Sequence, residues 1–529
     1  MYYTLAMSAS RYTSIIPLPL LLAAAILLAI PAHLRPDNFI ADDGYFNPQI
    51  ARAIVHGQGS TFNGIMPTNG YQPLWMLVCV LGARITSASA PLVQLIMVVQ
   101  DLLILGSISL LVMISRAEGK LGAALGCAPL LFFGMVVGIW RLLEANVALM
   151  LQIGVLILVV PVFPVLQRRL GRWRDPLIGF MLGCTILARL DLVYFAAIVL
   201  IYEFLRRADT PRIQSVAFQI SIMTAVIAPY LIWNVYFFHH LMPISGAIKS
   251  TFPHFHSQAI GLYMIPVFVS ILLNSLFLLK RERTPFDLLC VITAAAAALH
   301  LAYTMSFGSM APWYLTTGYL NVSLSVIWLV DFVLKRSPSL AWVEPVVDSF
   351  LFVAFFTLAS LRLFSNFSYM RLTMGQVSFH GIYLEPKRSL AIKLRETLPL
   401  GSRIFIFDAP GGVAYYSGMS ILPSDGLVTN YTYNRDLGRE GFAQYAAEHH
   451  IDYFITPYLQ PGQTFGNYLG IGESERTGAG QLVSIVVPLT HQSAGSITLS
   501  DSDLLFRSPE INPYFETTFP EIGVWRIRH

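Results

Sequence analysis

Charge is what this sequence has least of. Asp, Glu, Lys and Arg make up 12% of its 529 residues, against 55% hydrophobic residues, and mean hydropathy is +0.61. A soluble chain of this length needs more polar residues to cover its surface, so the composition indicates a polytopic membrane protein. Long basic tracts and basic-aromatic surfaces are missing too. The net charge of +4 is spread over short loops and argues for no nucleic-acid partner. Cysteine is equally sparse: Cys79, Cys127, Cys184 and Cys290 stand alone in apolar runs, without the spacing of a disulfide framework or a zinc site. They read as buried apolar residues. The glycine-rich run "GIGESERTGAG" follows no predicted strand and opens no predicted helix, so it reads as a flexible loop, not a dinucleotide fingerprint.

What the chain has in abundance is long apolar runs. A crossing of the hydrocarbon core needs about 20 residues. By that measure spans are expected near 15–34, 91–115, 121–139, 146–166, 176–190, 192–205, 214–238, 258–279, 286–306, 312–334 and 346–364, eleven in all, with the pair around 176–205 short. The first run is long for the core of a signal peptide, has only Arg11 ahead of it and precedes many further spans, so it reads as an uncleaved first span.

Basic residues sort the loops. Arg116 and Lys120; Arg168, Arg169, Arg172 and Arg174; Arg206, Arg207 and Arg212; Lys280, Arg281 and Arg283; and Lys335 and Arg336 fall in alternate loops, which the positive-inside bias assigns to the cytoplasm together with the N-terminus. The alternation holds only if "PLWMLVCVLGARI", Pro73 to Ile85, does not cross. Its short length, and Trp75 at a water-lipid boundary, suit an interfacial helix on the outer side. The opposite loops carry the unusual polar groups: Asp42 and Asp43, Glu144, Arg189 and Asp191 in "ARLD", and Lys249 in "FFHHLMPISGAIKS".

After Phe364 the composition becomes mixed and polar, and an odd number of crossings puts this part outside. The expected units are a membrane module over 1–364, with its first exterior loop at 35–90, and an α/β domain over 365–529. Within the latter the pattern predicts a helix near 386–397, a strand in "RIFIFD", a turn at Gly411 and Gly412, a helix near 436–449, and strands in "DYFIT", "LVSIVV" and "GVWRIR".

Two adjacent carboxylates after the first span, in "ADDGYFNPQIARAIVHGQG", need a reason. One of them can cap the next helix, but Asn47 followed by Pro48 is the better cap and first-position pair. With Asp43 as cap, Pro48 would fall deeper in the helix and cost a backbone hydrogen bond. Freed from capping, the pair can supply a general base or hold a divalent cation, Mg or Mn. If the leaving group is a phosphate, Lys249, Arg189 and Arg52 are the cations on that side to hold its charge.

The stretch "DDGYFNPQIARAIVHGQGSTFNGIMPTNGYQPLW" resembles the first exterior loop of bacterial GT-C superfamily glycosyltransferases, within which it is most similar to membrane proteins related to arabinofuranosyltransferases of the cell envelope. "ARLD" at 188–191, "PYLIWNVYFFHHLMPISGAIKS" at 229–250, "APWYL" at 311–315 and "DAPGGVAYYSGMSILPSDGLVTN" at 408–430 follow in order, so the likeness covers nearly the whole length, with the first loop its most specific part. The resemblance implies a GT-C fold in the bacterial cytoplasmic membrane. It also implies inverting transfer at the outer face from a polyprenyl-phosphate sugar, a pentofuranose such as arabinofuranose among the options, to a glycan, lipid or protein hydroxyl. By position Asp42 matches the leading acid, the base, with Asp43 as its helper or a metal ligand. The "FNP" segment departs from the aromatic and aliphatic residues of relatives, which puts the start of the following helix in question.

Each remaining group has two readings. Lys249 clamps the lipid phosphate or is a solvated lysine. Arg189 and Asp191 form a structural ion pair, with Arg189 also able to face phosphate, and Glu144 caps a span or orients the first loop. Tyr314 stacks on a sugar, or with Trp313 anchors the boundary. His239, His240, His254 and His256 lie close in sequence and invite a substrate or metal role for His240, but lack a completing carboxylate or cysteine. Asp101, inside a predicted span, calls for a partner the sequence does not name. Two rivals stand beside the enzyme. One is a transporter or flippase of lipid-linked sugars, for which the chain lacks internal repeats. The other is a non-catalytic envelope-assembly protein.

Overall fold

The computed structural model describes residues 40–120, 142–206, 212–250, 264–305, 312–336, 386–466, 472–478, 480–509, 511 and 519–528. The spans expected at 15–34, 121–139 and 346–364, with Cys127, His254 and His256, lie outside them. The first part is helical: α1 (Phe46–Val55), α2 (Pro73–Ile85), α3 (Ser89–Ala117), α4 (Ala145–Val159), α5 (Pro164–Leu170), α6 (Arg174–Ala188), α7 (Val193–Arg206), α8 (Arg212–Phe238), α9 (Ile244–Lys249), α10 (Ile265–Ser275), α11 (Pro285–Thr304) and α12 (Thr316–Arg336). Four described helices are long and apolar enough to cross a membrane: Ser89–Ala117, Ile213–Phe238, Pro285–Thr304 and Thr316–Val333. They coincide with expected spans.

The expected spans at 146–166 and 176–190 form a broken pair, bent by 85° where α4 gives way to Pro164. The bend has a physical cause. Arg174, read from the sequence as a loop cation, is buried at the start of α6. It donates to the Leu158 and Val159 carbonyls that end α4 and to both oxygens of buried Glu203 on α7. Helix α6 then packs closely on α8, because Gly179 and Gly183 present no side chain: a Cβ at Gly183 would lie 2.7 Å from Val226 Cβ. Elsewhere Asp331 on α12 collects Lys120 at 2.5 Å and Lys335 at 2.9 Å, so loop cations also tie helix ends together.

Helix α2 is short and one-sided, as expected, with Leu77, Leu81 and Ile85 exposed and Met76, Cys79 and Ala83 buried. Trp75 corrects the reading of a boundary anchor. It is fully buried, and its indole N–H donates to the Leu142 carbonyl at 2.9 Å. Cys79 and Cys290 are buried and Cys184 half-buried.

The C-terminal part is α/β: α13 (Pro386–Thr397), β1 (Arg403–Ile406), α14 (Pro410–Ser417), β2 (Ser420–Pro423), α15 (Tyr431–Glu440), α16 (Phe442–Glu448), β3 (Ile451–Pro457), β4 (Thr464–Gly466), β5 (Glu473–Thr477), β6 (Gly480–Val486), β7 (Ser493–Ser500), β8 (Leu504–Pro509) and β9 (Glu521–Arg526). One sheet runs β2-β1-β3-β9-β8, parallel across β2-β1-β3 and antiparallel beyond. A second, β4-β5-β6-β7, is antiparallel.

Three local expectations change. Gly411 and Gly412 open helix α14 rather than a turn. The helix near 436–449 is two helices, broken at Gly441 with φ of 76°. Part of "GIGESERTGAG" is strand β5, hydrogen-bonded on both sides, so strand pairing overrides its glycine-rich composition.

The first loop is wedged between the two parts. Asn69 donates to Asn234 on α8 and accepts from the Ile244 amide, while Asn430 of the α/β part donates to the Pro67 carbonyl. Gly70 lies so close to the Leu427 carbonyl that any Cβ would collide with it. A single apolar core runs from α3 and α4 through Ile50 and Phe62 to Leu390, Val413 and Tyr415.

Candidate active site

Asp42 and Asp43 sit on a 3-10 turn, Asp42–Tyr45, that leads directly into α1. Asn47 is therefore not a cap. It lies inside α1, no side chain caps that end, and Pro48 is accommodated as the third residue of α1, among the first amides that have no partner within the helix. One acid does cap a helix, but a distant one: Asp42 Oδ2 accepts from Gly411 N at 2.6 Å and Oδ1 from Gly412 N at 3.0 Å, at the start of α14. Lys387 Nζ stands 3.6 Å from Asp42 Oδ1. The oxygens of the expected base are thus taken up by the α/β part.

Asp43 faces the other way. Its Oδ2 is 3.7 Å from Lys249 Nζ at the end of α9, and its side chain keeps 30% of its exposure. Lys249 donates to Tyr314 Oη at 2.6 Å and lies 5.3 Å from that ring's centre. Arg189 flanks the same ring at 5.4 Å. It is buried and fully engaged: Nη1 donates to Glu144 at 2.7 Å and to the Trp313 carbonyl at 3.0 Å, and Nε and Nη2 clasp Asp191. His300 Nε2 adds a 3.0 Å contact to Asp191. The "ARLD" turn is therefore an ion pair extended to Glu144 and His300, with Arg189 and Lys249 both against Tyr314.

Burial pushes the Asp43 carboxyl up from the ordinary aspartate range. Lys249 pulls it back, and the neighbouring Asp42 adds to the rise. Burial also acts on Asp191, but Arg189 and His300 outweigh it and hold that carboxyl well below its usual range. A third carboxyl comes from the α/β part. Asp425, its Oδ1 accepting from Leu427 N at 3.0 Å, is pushed up to about 7, first by burial and further by Asp43 and Asp408, with Lys249 opposing. Its neighbour Gly426 approaches Ile248, the residue before Lys249: a Cβ there would lie 3.2 Å from Ile248 Cδ1. Asp425 and Lys387 carry no sequence signal of their own. "PSDGLVTN" reads as a turn, and Lys387 as one of two lysines of an amphipathic helix.

The remaining expected residues are placed elsewhere. Arg52 donates to Ser89 Oγ and to the Tyr415 carbonyl and covers the Tyr415 ring, so it joins the first loop to α14 rather than meeting Lys249. His240 is exposed and stacks on Tyr431 with ring centres 3.6 Å apart. Asp101 lies within α3. No group of three His, Cys, Asp or Glu among the described residues converges as a metal site. The pair itself does not fit Mg or Mn, since Asp42 is occupied by amides and an ammonium stands beside Asp43.

No protein-family model and no curated protein matches the chain. Among solved structures it is similar to ArnT from Cupriavidus metallidurans in the apo state, with TM-score 0.53 and 13% identity over 82% of this chain and 91% of that one. The same protein bound to undecaprenyl phosphate gives 0.52 and 14%, over 83% and 93%. An oligosaccharyltransferase from Archaeoglobus fulgidus, tethered with an acceptor peptide containing the NVT sequon, gives 0.47 and 11%, over 83% and 69%. At such identities the ArnT likeness establishes the architecture alone: this chain has the fold of ArnT, in keeping with the GT-C fold expected from the sequence.

Proposed function

We propose that this chain is an inverting glycosyltransferase that moves a sugar from a polyprenyl-phosphate donor to a hydroxyl acceptor at the outer face of the bacterial cytoplasmic membrane. The observation that carries the reading is the Asp43–Lys249–Tyr314 array, held beside a buried Arg189 cluster in a fold whose ArnT example was solved with undecaprenyl phosphate. Asp43, not Asp42, is the base, because the oxygens of Asp42 are already occupied. An acceptor hydroxyl gives its proton to Asp43 as its oxygen attacks the anomeric carbon. The bond from that carbon to the phosphate oxygen breaks on the opposite face, and polyprenyl phosphate leaves with the electron pair. Lys249 and the Tyr314 hydroxyl meet the charge that develops on that phosphate. Arg189, tied to Glu144 and Asp191, fixes the Trp313–Tyr314 turn.

The topology belongs to the proposal: eleven crossings, a cytoplasmic N-terminus, a membrane module over 1–364 and an exterior domain over 365–529. So does the donor sugar, a pentofuranose on the strength of the sequence resemblance, with a glycan, lipid or protein as acceptor. Native mass spectrometry of the purified protein should show a polyprenyl phosphate retained. A panel of polyprenyl-phosphate pentofuranoses and hexoses in nanodiscs should then give transfer from the former. Movement of intact donor across vesicles without breakage of the sugar-phosphate bond would instead make the chain a transporter.

A further inference from the structure

We propose that Asp42 is a positioning residue: seated on the first turn of α14, it lets the α/β part set the turn that carries Asp43, so that part is a working component of the transfer site. The inference rests on the reading of Asp43 as base.

The seat is built from both sides. Pro410 at the first helical position lacks an N–H, so the next two amides, Gly411 and Gly412, are the donors free to receive an anion, and the Asp42 carboxylate takes both. Neither glycine can be replaced without movement. A Cβ on Gly411 would collide with the Asp42 carbonyl oxygen, and one on Gly412 would strike the Lys387 side chain. Ala409, held at φ 50° just before the helix, is a backbone outlier of the sort that persists only where its surroundings fix it. Lys387 adds charge at 3.6 Å from Asp42 and lies over the Tyr45 ring.

The far end of the turn is gripped as well. Tyr45 is fully buried between Tyr415 and Tyr416, at 5.5 and 5.6 Å. Tyr415 in turn donates to the Ser89 carbonyl at 2.6 Å and accepts Arg52 at its own carbonyl. With the four-residue turn held at its first and last residues, Asp43 is presented on the side of Lys249, its Oδ2 3.7 Å from Lys249 Nζ. Small misplacement of a reacting group costs about 100-fold in rate, which gives the seat a catalytic consequence.

The test compares Asp42→Asn, Gly411→Ala and their combination in full-length protein in nanodiscs, assayed for transfer from a polyprenyl-phosphate sugar and for hydrogen exchange of residues 40–50. Each single variant should lower kcat by about 10- to 100-fold, leave donor KM unchanged and raise exchange in that segment; the acid limb of the pH profile should stay in place in Gly411→Ala and move downward in Asp42→Asn, which removes a charge that raises the Asp43 carboxyl. The double variant should lose no more than the worse single one. If Gly411→Ala does not fold, Lys387→Met takes its place with a smaller loss. Abolished transfer in Asp42→Asn beside a near-normal Gly411→Ala, with additive losses, would make Asp42 the base and overturn the proposal. Unaltered exchange in both single variants of a transferring enzyme would overturn the seat itself. Absence of transfer by the wild type from every polyprenyl-phosphate donor would instead remove the reading on which the proposal stands.

Discussion

Helix α6 carries a buried arginine at each end, and the two clusters behave differently. At its start, Arg174 spends its donors on Glu203 and on the carbonyls that end α4. It comes nearest the surface at Asp175, which accepts from Ser215 and Gln219, and at Arg206, whose Nε is 3.7 Å from Glu203. Past its end, Arg189 is just as deeply buried and just as well paired, yet its cluster runs on through Tyr314 and Lys249 to a mostly buried carboxyl on the first loop, Asp43. Buried ion pairs alone therefore do not mark a site. What distinguishes the second cluster is that it runs on through an aromatic hydroxyl and an ammonium to the first-loop carboxyl of Asp43.

Breaking each cluster should separate the two roles. Arg174→Met leaves buried Glu203 with only the longer contact to Arg206, at 3.7 Å, and should cost up to about 3–5 kcal/mol of stability. Arg174→Met with Glu203→Met should recover most of it, and activity per folded molecule should be unchanged in both, as thermal unfolding and transfer assays on the same samples would show. Lys249→Met should leave unfolding nearly unaltered and lower kcat/KM by about 10²- to 10³-fold. Because Lys249 favours the ionised Asp43, its loss should also move the acid limb of the pH profile upward.

The smallest effect belongs to Asp425, which faces Asp43 on the first loop, Lys249 on α9, Asp408 after β1 and Tyr433 on α15. Its folded pKa, about 7, lies above the ordinary 3.8, so its stabilising contribution is complete below about pH 4 and is lost as pH rises through 7. Asp425→Asn should flatten stability across that interval, measured by unfolding at several pH values.

Much of this was readable from the chain. Span length and apolar continuity encode burial in lipid, so α3, α8, α11 and α12 fall where hydropathy puts them, and "ARLD" forms the ion pair its spacing allows. The division of labour between Asp42 and Asp43 was not readable. The amides that engage Asp42 lie 369 and 370 residues away, and adjacent identical acids offer no local cue to which of them turns inward. Asn47–Pro48 misled for a related reason: a 3-10 turn delivers the chain into α1 without a side-chain cap. Arg174 looked like a loop cation because its partner, Glu203, is on another helix.

In the proposed transfer from a polyprenyl-phosphate sugar, Asp43 is the base. Single-turnover transfer by Asp43→Asn in nanodiscs, with donor binding measured on the same sample, tests it most directly. Donor binding should persist while the rate falls by about 10²- to 10⁴-fold; a rate equal to that of the wild type, with the donor bound, would contradict the assignment.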